Sequence, residues 1–144
     1  MKKAFSPTMD SLYEMLSFVV NQIVAAGFDD SIIPKIELAT EEALVNVIHY
    51  SGLGEQDKIE IECSGEDGEG IIILIKDKGV PYNPIGQVKE IDTNLPIEER
   101  QIGGYGIFLI TKIMDKVEYQ RQENTNVLSL KKYLKPQVKS QAIS

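Results

Sequence analysis

Three small groups of residues in the 144-residue chain have types and spacings that could do chemistry. The first is Glu42 with Asn46. Residues four apart stand one above the other on a helix, so these two project from one face and Glu41 points elsewhere. A carboxylate and an amide stacked this way suit a metal–phosphate group. The amide oxygen can ligate Mg²⁺, which takes few protein ligands beside waters and substrate phosphates. The carboxylate can take a proton. The same pair would also serve as an ordinary solvated helix face. His49, one turn further on, reads as a structural hydrogen-bonder rather than a catalyst.

The second group is Asp77-x-Gly79-x-Pro81. Asp77 follows a buried strand, where an unpaired carboxylate is costly. The exocyclic amine of adenine is a donor that would satisfy it. Gly79 permits close backbone approach to a flat ring, and Pro81 stiffens the exit. Asp, Gly and Pro are also plain β-turn residues. The third group is Gly103-Gly104-Tyr105-Gly106, set before an apolar helix. Glycines there let bare N–H groups face a phosphate, and the helix dipole favours the anion. Helix–sheet packing selects glycine too. The cluster is not a Walker-type P-loop, and it does not follow a strand as a dinucleotide fold requires. Arg100, just ahead of it, could reach a terminal phosphate or pair with Glu98 or Glu99.

These groups need elements to hold them. Residues 2–7 read as a short first strand. Met9, Leu12, Leu16, Val19, Ile23 and their neighbours recur at helical spacing over about 8–26, with Gly27 as the stop. Asp29-Asp30-Ser31 offers N-caps for a second helix over about 31–50, with Pro34 tolerable in its first turn. Strands follow at about 58–64, alternating, and 70–76, continuously apolar as suits a central position. Gly65–Gly68 is the hairpin turn between them. The stretch 82–102 is a long connection of weak periodicity, a length that is often functional. A third helix follows at about 105–115. Two antiparallel strands at about 117–122 and 126–134 close the order. This order predicts an α+β, two-layer sandwich, with helices on one face of a mostly antiparallel sheet. It forms a single domain over 1–135, with a flexible tail over 136–144.

Composition narrows the function classes. The chain is 42% hydrophobic and 26% charged, in the globular range. No apolar run approaches the roughly 18 residues of a membrane span, and no signal core follows the N-terminal lysines. A single cysteine, Cys63, fits a reducing cytoplasm. A net charge of −7 speaks against a nucleic-acid binder.

Taken in order, Glu42-x-x-x-Asn46, Asp77-x-Gly79-x-Pro81 and Gly103-Gly104-x-Gly106 resemble the N box and the two glycine boxes of the GHKL ATPase superfamily, which includes gyrase, histidine kinases and MutL. The short chain, Pro81-Tyr82-Asn83-Pro84 and the run Gly103 to Ile110 resemble, within it, the bacterial anti-sigma factor serine/threonine kinases. The resemblance runs from about residue 5 to 134. It implies the Bergerat fold, ATP and Mg²⁺ as cofactors, and an ATP lid over 84–102. By resemblance Glu42 is the general base, Asn46 the Mg²⁺ ligand, and Asp77 with Gly79 the adenine pocket. Gly103 precedes Gly104 and Gly106, the phosphate-contacting glycines, and Arg100 is a lid arginine at the γ-phosphate. The implied partners are a STAS-type anti-sigma-factor antagonist as substrate, a sigma factor, and a second copy in a homodimer. A partner-switching regulator that binds ATP without transferring phosphate, and a histidine-kinase-like domain, are the alternatives. Two departures stand out. Tyr50 occupies the place where kinase members often carry a histidine. Thr125–Ser129 offers no unambiguous match to the family's adenine-binding threonine, which leaves one adenine contact unassigned.

Overall fold

The computed structural model describes residues 1–65, 68–85 and 102–134, with side chains from residue 107 onward in the last stretch. Five strands form one sheet in the order β1-β2-β3-β5-β4, every neighbouring pair antiparallel. They are β1 (Lys2–Phe5), β2 (Ile59–Ser64), β3 (Gly70–Asp77), β4 (Lys116–Gln122) and β5 (Thr125–Tyr133). A 3-10 turn at Met9–Ser11 leads into α1 (Leu12–Ala25); α2 (Ile33–Tyr50) and α3 (Ile102–Ile113) complete the helical layer. The α+β sandwich expected from the sequence is the one found.

Alternation decides which strand face meets the helices. Ile59, Ile61 and Cys63 of β2, Ile71, Ile73 and Ile75 of β3, and Leu128 and Leu130 of β5 all face inward and are buried. Met15, Val19 and Ile23 of α1, Ile36, Ala39 and Leu44 of α2, and Ile107 and Ile110 of α3 meet them. Truncating any of the large ones to alanine would cost about 2–5 kcal/mol. The continuous apolar run of β3 does occupy the centre of the sheet. On the opposite face Lys76 bonds Glu62 at 3.0 Å, and this neighbouring ammonium lowers the Glu62 pKa.

Two helix boundaries differ from the sequence expectation. Gly27 ends α1 as foreseen, at φ +92°. The caps foreseen for α2 do not form, because Ser31 Oγ turns to Asp29 Oδ2. The Asp29 carbonyl instead receives the N–H groups of Ile32 and Ile33. Helix α3 starts at Ile102 rather than Tyr105. Its first four N–H groups lack helical partners wherever the start falls, so Gly103 and Gly104 enter the first turn without sacrificing a bond. Arg100, nearly all of the 84–102 connection and the 136–144 tail lie outside the described residues.

Antiparallel register does the positioning that matters. Asp77 at the end of β3 stands opposite Asn126 at the start of β5, and Asn126 stands opposite Arg121 of β4. One row of polar side chains therefore crosses three strands at one end of the sheet. The C-terminal end of α2 docks on the same end, where Val80 N–H donates to the Ser51 carbonyl at 2.8 Å.

Candidate functional site

Asn46 faces inward from the last third of α2 and is only 4% exposed. A solvated helix face is thereby excluded for it. Its Nδ2 donates to the Glu42 carbonyl at 2.8 Å, which fixes the amide and turns Oδ1 the other way. That Oδ1 is buried and has no hydrogen-bond partner. Native proteins rarely leave a buried acceptor orphaned, and an ion is one reason to do so. Glu42, one helical turn earlier, is half-buried. His49 is exposed, its ring edge-on to Tyr50 at 6.4 Å.

Asp77 is also 4% exposed. Two donors reach it, Gly79 N–H at 2.8 Å and Asn126 Nδ2 at 3.0 Å, and both end on Oδ1. The carboxylate foreseen as needing a ligand donor is thus half satisfied by the protein itself. Gly79 has a structural duty as well. A Cβ there would fall 2.1 Å from the Ser51 carbonyl oxygen, so the close approach it permits is first of all to α2.

Asn46, Ser51, Asp77, Tyr82, Pro84 and Asn126 line one enclosed cavity of about 20 Å³. That is room for about one water, smaller than a purine ring. The Tyr82 ring stacks on Tyr50 at 5.2 Å and 17°, and burial raises its hydroxyl pKa. A larger hollow, about 1620 Å³, lies over the outer sheet face between Lys58, Glu60, Gln122 and Thr125. It is open to solvent and touches Asp77 but neither Asn46 nor Asn126; the enclosed cavity is the one that all three line.

The structure therefore brings Asn46, Asp77 and the backbone beside Gly79 to one place. Gly103, Gly104 and Gly106 lie in the first turns of α3, where unpaired N–H groups are to be found. Arg100 lies outside the described residues. Sequence reasoning missed Asn126, Arg121 and Tyr119. Asn126 is 4% exposed and spans the gap from Asp77 to β4. A polar residue in the inward register of Asn126, Leu128 and Leu130 was the available signal.

The residues fit a magnesium–nucleotide. Among the described residues no three His, Cys, Asp or Glu side chains come together as a metal site. An ion here would be held by few protein atoms, and the orphaned Oδ1 of Asn46 is a hard oxygen donor of the type Mg²⁺ takes. Both bonds to Asp77 end on Oδ1, so neither of these donors occupies Oδ2, an acceptor of the kind an amine can meet.

Comparison with known proteins places the chain in a family. Residues 5–132 match the family described as the histidine kinase-like ATPase domain. The chain is 29% identical over 123 residues to the serine-protein kinase RsbW of Listeria monocytogenes, covering 83% of this chain and 78% of that one. The fold is similar to that of the RsbU and RsbW domains of Rv1364c from Mycobacterium tuberculosis, with a TM-score of 0.59 at 12% identity. That match covers 94% of this chain and 33% of the other. It is similar also to a chain of the SiaB–SiaC complex from Pseudomonas aeruginosa, with a TM-score of 0.54 at 17% identity, over 91% of this chain and 89% of that one.

Proposed function

We propose that this chain, which belongs to the histidine kinase-like ATPase domain family, is an ATP-dependent protein kinase of the anti-sigma factor type. Its substrate is a serine or threonine of a small STAS-type antagonist protein, and its output is partner switching on a sigma factor in the cytoplasm. The observation that carries the nucleotide site is the buried, unpaired Oδ1 of Asn46 on the same cavity as Asp77. The name of the Listeria relative, a serine-protein kinase, supports a hydroxyl acceptor.

Each residue has a distinct part. Asp77 receives the amine of the base. Asn46 holds Mg²⁺, which when bound neutralises phosphate charge. The free N–H groups of the first turn of α3, at Gly103 and Gly104, and the neighbouring Gly106 serve the phosphates, and Arg100 is assigned the γ-phosphate by the family pattern. Glu42 accepts the proton of the attacking hydroxyl as the γ-phosphoryl leaves ADP and joins the Ser or Thr oxygen. Such a reaction depends mostly on positioning and electrostatics, so a site with few polar groups is sufficient. Tyr13, 81% exposed, and Val24, 55% exposed, are apolar residues on one side of α1 that a second copy in a homodimer would cover.

The test is incubation of the chain with γ-labelled ATP and candidate antagonist proteins. Label on a Ser or Thr of the antagonist, lost in Glu42→Ala and Asn46→Ala, is the expected result. Transfer that survives both substitutions refutes the assigned roles. ATP binding with no transfer to any antagonist leaves a binding module.

A further inference from the structure

Asn126 offers two donors and one carbonyl oxygen with two lone pairs, and the protein uses all of them. Nδ2 donates to Asp77 Oδ1 at 3.0 Å and to the Val80 carbonyl at 2.8 Å. Oδ1 accepts from the Tyr119 hydroxyl and from Arg121 Nη1 at 3.1 Å. The two donors on Oδ1 forbid the flipped amide. A flip would aim the NH₂ group at the guanidinium and set Oδ1 against the Asp77 carboxylate. Arg121 also donates Nη1 to the Gly79 carbonyl at 2.8 Å, so the same side chain pins the turn that follows Asp77. Tyr119 and Arg121 sit two apart on β4 and therefore share its inward face.

From this network we infer that Arg121 and Tyr119, acting through Asn126, are positioning residues that orient Asp77 toward a purine amine. Asn126 and Gly79 N–H together occupy Oδ1, which holds the carboxylate in one rotation and leaves Oδ2 to read the base. Selectivity for an amino-bearing purine is set from β4, at the edge of the sheet, by an arginine that does not itself line the cavity. Without Arg121 the amide of Asn126 is free to turn, and a turned amide puts an oxygen against the carboxylate. Asp77 then has a reason to rotate away from the base. The inference rests on the nucleotide reading of the site.

The test compares binding of ATP with binding of purine riboside 5′-triphosphate, which lacks only the exocyclic amine, by titration calorimetry on the whole chain. The wild type should prefer ATP by about tenfold or more, the worth of one charge-assisted hydrogen bond. Arg121→Ala should lower that preference toward unity while affinity for the amine-less nucleotide stays within about twofold of wild type. Both Arg121 bonds leave from the one nitrogen Nη1; Arg121→Lys keeps the charge but ends one bond short of that atom, and should fall between. Tyr119→Phe removes one hydroxyl with little effect on packing, and should reduce the preference even if Arg121→Ala were to unfold. A merely structural role would weaken both nucleotides alike. Equal weakening of both, or an unchanged preference in Arg121→Ala and Tyr119→Phe, overturns the inference and leaves the nucleotide site standing. A wild type that binds neither nucleotide overturns the reading beneath it.

Discussion

Replacing Gly79 with alanine asks whether this glycine serves the fold or only a ligand. The added Cβ would lie 2.1 Å from the Ser51 carbonyl oxygen, 2.7 Å from Ser51 Cβ and 2.9 Å from Asp77 Oδ1. The two nearest are atoms that no side-chain rotation moves. Relief requires the end of α2 to part from the turn, which stretches the 2.8 Å bond from Val80 N–H to the Ser51 carbonyl. Overpacking of this kind costs about 1–3 kcal/mol, and the backbone bond adds about 1 kcal/mol. The expected loss is therefore about 2–4 kcal/mol, which lowers Tm by about 6–16 °C in a domain of this size. Calorimetry of the chain alone, with no nucleotide, reads it. Gly27→Ala is the comparison. At φ +92° with nothing within 4 Å of the new methyl, it carries only the backbone penalty, about 1–2 kcal/mol. A Gly79→Ala protein that melts within about 2 °C of wild type would refute the close-packing argument. The glycine would then belong to the ligand alone.

Three other substitutions or probes test separate parts of the structure. Asn46→Ala deletes an acceptor that has no partner but also the Nδ2 bond to the Glu42 carbonyl, so it should cost about 1 kcal/mol of stability; the Mg²⁺-dependent part of ATP affinity should fall by about tenfold or more in titrations with and without the metal. Glu123 and Asn124 have φ of 48° and 64° in the β4–β5 turn; Glu123→Asn should raise stability by about 1 kcal/mol in urea melts, because asparagine tolerates that region better. Burial pushes the Cys63 thiol up to about 11 from 9.0; the folded pKa is above the unfolded one, so this contribution to stability is complete below pH 9.0 and is lost as pH rises toward about 11. Alkylation of Cys63 at pH 8 should accordingly be slow in the native chain and fast in urea, and equal rates would contradict the burial.

What the sequence made legible follows from the range over which each signal acts. The spacing of Glu42 and Asn46 is a local property of a helix, and a chain long enough to form α2 had to place them one above the other. Alternation in β2 and continuity in β3 are equally local, and both led to the observed faces. The Asp77–Asn126 bond is different. It joins residues 49 apart through the register of β3 on β5, and a slip of one residue would have turned Asn126 to the outer face. No local pattern fixes that register, so the residue opposite Asp77 stayed hidden. Asn126 occupies the end of the strand where the sequence left one adenine contact unassigned, and what it touches there is Asp77. The start of α3 was misjudged for a local reason. The glycines were set ahead of the helix, but in a first turn they lose no bond, and Ile107 and Ile110 anchor the helix in the core.

The buried polar residues show why the cavity, and no other part of the described molecule, is the place where chemistry is built in. Thr40 Oγ1 bonds the Ile36 carbonyl and Ser51 Oγ the Val47 carbonyl, each within its own helix. Asn126 uses every donor and lone pair. Two groups depart from this economy: Asn46, whose Oδ1 has no partner, and Asp77, whose bonds both fall on one oxygen. They come from different elements, 31 residues apart in sequence, and line the same cavity. A fold selected only for stability would fill such a position with an apolar side chain, because a half-satisfied polar group is worse than none. Two such departures meeting at one cavity are what a polar ligand explains and packing does not. The well-satisfied Asn126 holds the Asp77 carboxylate in place, as the Glu42 carbonyl fixes the amide of Asn46.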